Sequence, residues 1–228
     1  MRTVFDEKLA KLHRDLLELG VLVNRAIFRS VQGFIEHDVA IAKEVIDGDA
    51  RVNDKEHEID RKCQEIIAMQ QPNTTDLRRI IAVLRASSNL ERMGDHAVSI
   101  SKSTINLKGN KRNLDLENLI NEMATIVIEM SHDIIDAFVD FDVDKAYSIA
   151  KIDAKVDALY NDVRMTAVEA MQNDPNTVIA VSDYTFVGMH IERIGDYVTN
   201  ISEGIIYLDS GKVRSEEHTS ELQSLLVI

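Results

Sequence analysis

Glu91-Arg92-Met93-Gly94-Asp95-His96-Ala97 returns 101 positions later as Glu192-Arg193-Ile194-Gly195-Asp196-Tyr197-Val198. Both copies lie late in a long run with apolar residues at helical spacing. The Glu and Asp of each copy are therefore at i and i+4, about 40° apart round a helix and about 6 Å along its axis. Two carboxylates then share one face, where they repel unless a cation or a partner lies between them. One such pair is ordinary on a solvated helix. Two in the same local context mark a duplication built around two acidic sites.

Working outward, only Pro72 and Pro175 interrupt the chain, and Gly numbers nine, which favours long helices. Leu9, Leu12, Leu16, Leu19, Val23 and Ala26 step by three and four, predicting a first helix over 6–37. Asp38 is a candidate cap for a second over 38–70, with Val45, Asp49, Val52, Glu56, Ile59, Cys63 and Ile66 on its seam. After the Pro72 turn a third spans 76–107, with Leu90, Met93, Ala97 and Ile100 inward. Spans of 115–140, 142–172 and 177–208 repeat the pattern around the Pro175 turn. Asp49-Ala50-Arg51-Val52-Asn53 likewise returns as Asp153-Ala154-Lys155-Val156-Asp157. The expected fold is all-α: six long helices in two tandem antiparallel three-helix bundles related by internal duplication. The first repeat is expected over 1–108 and the second over 112–213, divided at Lys108-Gly109-Asn110-Lys111. Residues 214–228 begin RSEEHTSELQS, which reads like translated sequencing adapter and is expected to be a non-native tail.

Composition excludes several classes. A net charge of −13 argues against nucleic-acid binding and against adsorption to anionic lipid. No apolar run approaches a membrane span, and the opening MRTVFDEK lacks a signal-peptide core. A single cysteine, Cys63, suits a cytoplasmic protein and reads as a small buried hydrophobe. The only Glu-x-x-His pair is Glu129…His132, with no counterpart in the other repeat. Ser87, Ser88, Ser99 and Ser101 have no evident histidine base, and there is no phosphate loop. No acid–base pair stands out, so no enzyme activity is expected.

The acids fall beside the seams. Asp49, Asn53 and Glu56 on the second helix are positioned to meet Glu91 and Asp95 on the third. Asp153 and Asp157 on the fifth are positioned to meet Glu192 and Asp196 on the sixth. Acids that partly face a core need compensation. Arg92, Arg193, Lys55, Arg61, Lys62 and Arg164 offer salt bridges; a hard cation such as Mg, Mn or Fe suits an all-oxygen donor set equally. Spacing leaves both open. Gly94 and Gly195 suggest close helix approach.

The doubled E-x-x-x-D motif and the repeat around Asp49–Asn53 resemble the PhoU proteins of bacterial phosphate homeostasis over residues 1–213. The resemblance implies a cytoplasmic six-helix homodimer that is a regulator and not an enzyme. It implies negative regulation of phosphate uptake and of the phosphate-starvation response, by coupling the ATPase subunit of a phosphate ABC importer to a sensor histidine kinase. It implies multinuclear metal clusters, with Fe foremost and Mn, Mg or Zn as alternatives. Their ligands would be Glu91, Asp95, Asp49, Asn53 and Glu56 in one site and Glu192, Asp196, Asp153 and Asp157 in the other. The halves differ, since Asn53 stands where the second has Asp157, and Glu56 where it has Tyr160. The rival readings are a carboxylate-bridged metalloenzyme and a metal-free helical interaction protein.

Overall fold

The computed structural model describes residues 2–210. The expected tail at 214–228, and the end of the second repeat at Val213, lie outside the described residues. Six helices follow in order: α1 (Arg2–Glu36), α2 (Val39–Gln70), α3 (Thr74–Asn106), α4 (Leu114–Asp140), α5 (Val143–Asn173) and α6 (Val178–Ser210). A single 3-10 turn, Pro175–Thr177, precedes α6.

Side chains set the helix ends. The Asp38 carboxylate accepts from the Ala40 and Ile41 amides, as its position suggested. Asn73, Asn113 and Asp142 accept from the amides of Asp76, Leu116 and Lys145. His37 and Phe141 take left-handed backbone at tight hairpins that Gly would ordinarily occupy (φ 56° and 53°). The first helix begins four residues before its expected start at Asp6, because Phe5 and Leu9 extend the same inward stripe.

α1, α2 and α3 form one antiparallel three-helix bundle and α4, α5 and α6 the other. The halves also pack on each other, α3 along α6 and α1 against α4, so one hydrophobic core runs through both. Gly20 lets α1 approach α4: a Cβ there would come within 2.8 Å of Ile135 Cδ1. Asn24 Nδ2 donates to the Ser131 carbonyl at 3.3 Å.

The second tie is polar. Glu117, at the start of α4, is buried and accepts from Arg112 Nε at 3.0 Å and from Tyr184 Oη at 2.9 Å, with His37 Nε2 also 2.9 Å away. Arg112 Nη2 caps the Ile35 carbonyl at 2.9 Å. One carboxylate thus gathers the α1–α2 corner, the connection between halves, and α6. Burial alone would raise its pKa, but hydrogen bonds from Arg112, His37 and Tyr184 outweigh it and hold the carboxyl below its ordinary range.

Candidate functional site

The repeated acids come together as two separate patches, one on α2–α3 and one on α5–α6. On the first, Asn53 Nδ2 donates to Asp49 Oδ2 at 3.1 Å, one helical turn away. Burial raises the Asp49 pKa, and the Asp95 charge raises it further. Glu91 is raised by burial first, then by Asp95, Glu56 and Asp49. All four carboxylates therefore share one field. Asp49, Glu56 and Glu91 are half-buried, while Asp95 is exposed. Asn53 Oδ1 is buried with no hydrogen-bond partner.

On the second patch Asp153 is perturbed more strongly. Burial, then Asp157 and Asp196, push it up to about 6. Asp157 is raised by burial and by Asp196. Glu192 is raised by burial, then by Asp196, Asp157 and Asp153. The glycines of the repeated motif sit against these acids' helices. A Cβ on Gly94 would lie 3.2 Å from Val52, and one on Gly195 would lie 3.1 Å from Asp153 Oδ1. The tight approach of α2 to α3 and of α5 to α6 needs those positions small.

Compensation by cations is incomplete. Arg193 Nη1 pairs with Asp196 Oδ2 at 3.0 Å, and its Nε lies 3.6 Å from Glu192. Arg92, its equivalent, forms no ion pair of that kind; it interacts chiefly with Tyr197 and more weakly with Glu91 and Asp95, and Lys102 partly offsets the charge at Asp49. Lys55 and Lys62 are spent on Asp15, Glu18 and Glu58, away from both patches. Arg164 lies over the Tyr160 ring. The first patch thus keeps four acids that Arg92 and Lys102 offset only in part, with an amide oxygen that has no donor; oxygen donors of this type suit a hard cation. Among the described residues, three His, Cys or acid ligand atoms lie within 4.8 Å of one another only at His132, Asp133 and Asp136. That cluster is already served by Lys145 Nζ, 2.9 Å from Asp133 and 3.5 Å from Asp136. The acids of the two patches stand further apart.

Three features escaped sequence reasoning. His96 and His190 face each other across the α3–α6 contact, Nδ1 to Nδ1 at 2.9 Å. They sit at unequal places in the two repeats, so only packing pairs them. Glu117 lies in the first turn of α4, where acids are common, and its partners are 5 to 80 residues away. The third is an arginine row on α3, whose heptad spacing was readable but whose common groove was not. Cys63, by contrast, is as expected: fully buried, its thiol pushed up to about 12 by burial and then by Asp60 and Glu56.

Comparison with known proteins gives a consistent result. The PhoU domain family model matches twice, at residues 16–104 and 120–205. The phosphate-specific transport system accessory protein PhoU homolog of Clostridium acetobutylicum is 36% identical over 212 residues, covering 92% of this chain and 96% of the relative. The corresponding PhoU of Escherichia coli is 32% identical over 222 residues, 97% of this chain and 92% of the relative. The crystal structure of the phosphate transport system regulatory protein PhoU from Streptococcus pneumoniae superposes with a TM-score of 0.87 at 30% identity, over 92% of this chain and 98% of that one. PhoU from Pseudomonas aeruginosa gives 0.88 at 32% identity, over 91% and 100%.

Proposed function

The chain belongs to the PhoU family, and we propose that it is an accessory regulator of a phosphate transport system. In this reading it restrains phosphate uptake and the phosphate-starvation response. It does so as a cytoplasmic homodimer that couples the ATPase subunit of a phosphate ABC importer to a sensor histidine kinase. The relatives' names, which place them with phosphate transport, support the setting. No helix among the described residues is long and apolar enough to cross a membrane.

The observation that carries a metal role is the doubled patch of acids with raised pKa values, one of them beside an unpartnered buried Asn53 oxygen. Glu91, Asp95, Asp49, Asn53 and Glu56 would hold one cluster, and Glu192, Asp196, Asp153 and Asp157 the other. Bound Fe, or Mn, Mg or Zn in its place, would supply the positive charge these carboxylates lack. The side chains themselves do the positioning. Each patch spans two helices, so neutralising it clamps α2 to α3, or α5 to α6, and stiffens the surface offered to a partner. Arg193 already gives the second patch part of that neutralisation. The metal-free alternative, an interaction protein whose acids are ion-paired, rests on that contact.

Elemental analysis of the purified protein beside Glu91→Ala/Glu192→Ala tests the metal assignment. Stoichiometric metal lost in the double variant is expected; no metal after incubation with Fe, Mn, Mg and Zn removes it. Capture of the importer ATPase from phosphate-replete cells tests the regulatory role separately, and absence of that complex would count against it.

A further inference from the structure

Between α3 and α6 runs a groove of about 610 Å³. Its floor is apolar and built from small or flat surfaces: Ala82, Ala86, Ile201 and Ile206 are buried along it. Gly204 leaves it open, since a Cβ there would meet nothing within 4 Å. Arg78, Arg85 and Arg92 form the α3 wall, all exposed. They fall at i, i+7 and i+14, hence on nearly one line, each about 10.5 Å above the last. Tyr197 and Tyr207 line the opposite wall with Glu203, the one acid among the lining residues.

Two observations set this row apart. The chain as a whole carries −13, yet among the described residues Arg78 and Arg85 form no ion pair. The row is also not repeated in the other half, where only its last member has a counterpart, Arg92 in Arg193. Shifted by the 101 positions that relate Glu91 to Glu192, Arg78 and Arg85 become Ile179 and Phe186, which are 78% and 52% exposed. Duplication therefore accounts for Arg92, which belongs to the repeated motif, but not for Arg78 and Arg85.

We propose that this groove is a docking site for an acidic amphipathic helix of a partner protein. The partner's apolar ridge would lie on Ala82, Ala86 and Gly204, with its carboxylates facing Arg78, Arg85 and Arg92. The match is one of repeat. A helix presents the same face every seven residues, which is the arginine spacing. The phosphates of a nucleic-acid strand recur at a much shorter interval, and the overall negative charge repels them. A row about 21 Å long exceeds what one small anion can bridge. The inference goes beyond the phosphate-regulator reading and does not depend on metal in the acidic patches.

The test uses the full chain and labelled synthetic helices about three heptads long. One peptide has a leucine–alanine face with Glu at every seventh position; its counterpart has Lys there. Fluorescence anisotropy is expected to show saturable binding of the acidic peptide, salt-sensitive and weakened roughly tenfold or more by Arg78→Glu/Arg85→Glu. The Lys peptide should not bind, and Ile179→Ser should leave the affinity unchanged. Equal binding by the double variant, or by the Lys peptide, overturns the proposal. So does a titration in which ADP alone binds in an arginine-dependent way. Sedimentation showing a dimer that the double variant dissolves also overturns it, by making a second copy the occupant. Circular dichroism checks that the double variant folds. Should it not, Gly204→Leu, which fills the floor and keeps the arginines, must weaken the acidic peptide to a similar degree.

Discussion

Replacing Glu117 by alanine removes the acceptor shared by Arg112, Tyr184 and His37. Its side chain is only 5% exposed, so its partners lose an ion pair that water does not simply replace. Removing one member of a buried pair typically costs ~3–5 kcal/mol. Arg112 is 47% exposed and rehydrates, which lowers the expected loss to about 2–3 kcal/mol. For a chain this size that is a fall in Tm of roughly 5–10 °C. Glu117→Gln keeps the volume and an acceptor for Tyr184, and should lose about half as much. The pH dependence gives an internal check. The folded pKa of Glu117 is held down, so its contribution is fully present above the unfolded value, ~4.3, and is lost as pH falls below it. The stability gap between wild type and Glu117→Gln should hold from pH 7 to 5 and shrink toward pH 3.5. Urea unfolding across that range measures it. An alanine variant melting within 2 °C of wild type, by a threshold of about 1 kcal/mol, would refute the reasoning.

The His96–His190 contact predicts a pH effect of opposite origin. Burial, then His96, pushes His190 down to about 4, so the unfolded chain binds its proton first, and stability should fall as pH drops from about 6.5 toward 4. His190→Asn should flatten that slope; identical pH profiles for the two proteins would sink the assignment. Cys63 should be inert to a thiol reagent in the native protein and react fully in denaturant, because its buried thiol is pushed up to about 12. Fast native labelling would show that the α2–α3 contact opens.

The expected spans and the observed helices differ by only a few residues at their ends, and the reason is local. Period-3.6 stripes such as Leu12, Leu16, Leu19 and Val23 are buried wherever they pack, and Asp38, Asn73, Asn113 and Asp142 close the ends with their own side chains. The acids were readable for the same reason: i, i+4 spacing puts Glu91 with Asp95, and Glu192 with Asp196, on one face of any helix. The duplication supplied their partners on α2 and α5. Which cations reach them was not readable. Arg92 and Arg193 occupy equivalent places, yet Arg193 pairs with Asp196 at 3.0 Å while Arg92 interacts chiefly with Tyr197 and only weakly with Glu91 and Asp95. Lys55 and Lys62, near the acids in sequence, point to Asp15 on α1.

Helix, repeat and paired carboxylates thus follow from the sequence alone, because each depends on contacts within a few turns of one helix. How the two bundles join was decided by tertiary structure. Stacking α3 on α6 brings His96 to His190 and opens the groove beside Arg78 and Arg85, and seating the α1–α2 corner against α4 brings His37 to Glu117. The residues that meet, His96 with His190 and His37 with Glu117, are separated by long stretches of chain and share no periodic signal. Only the packing of one repeat against the other makes them neighbours.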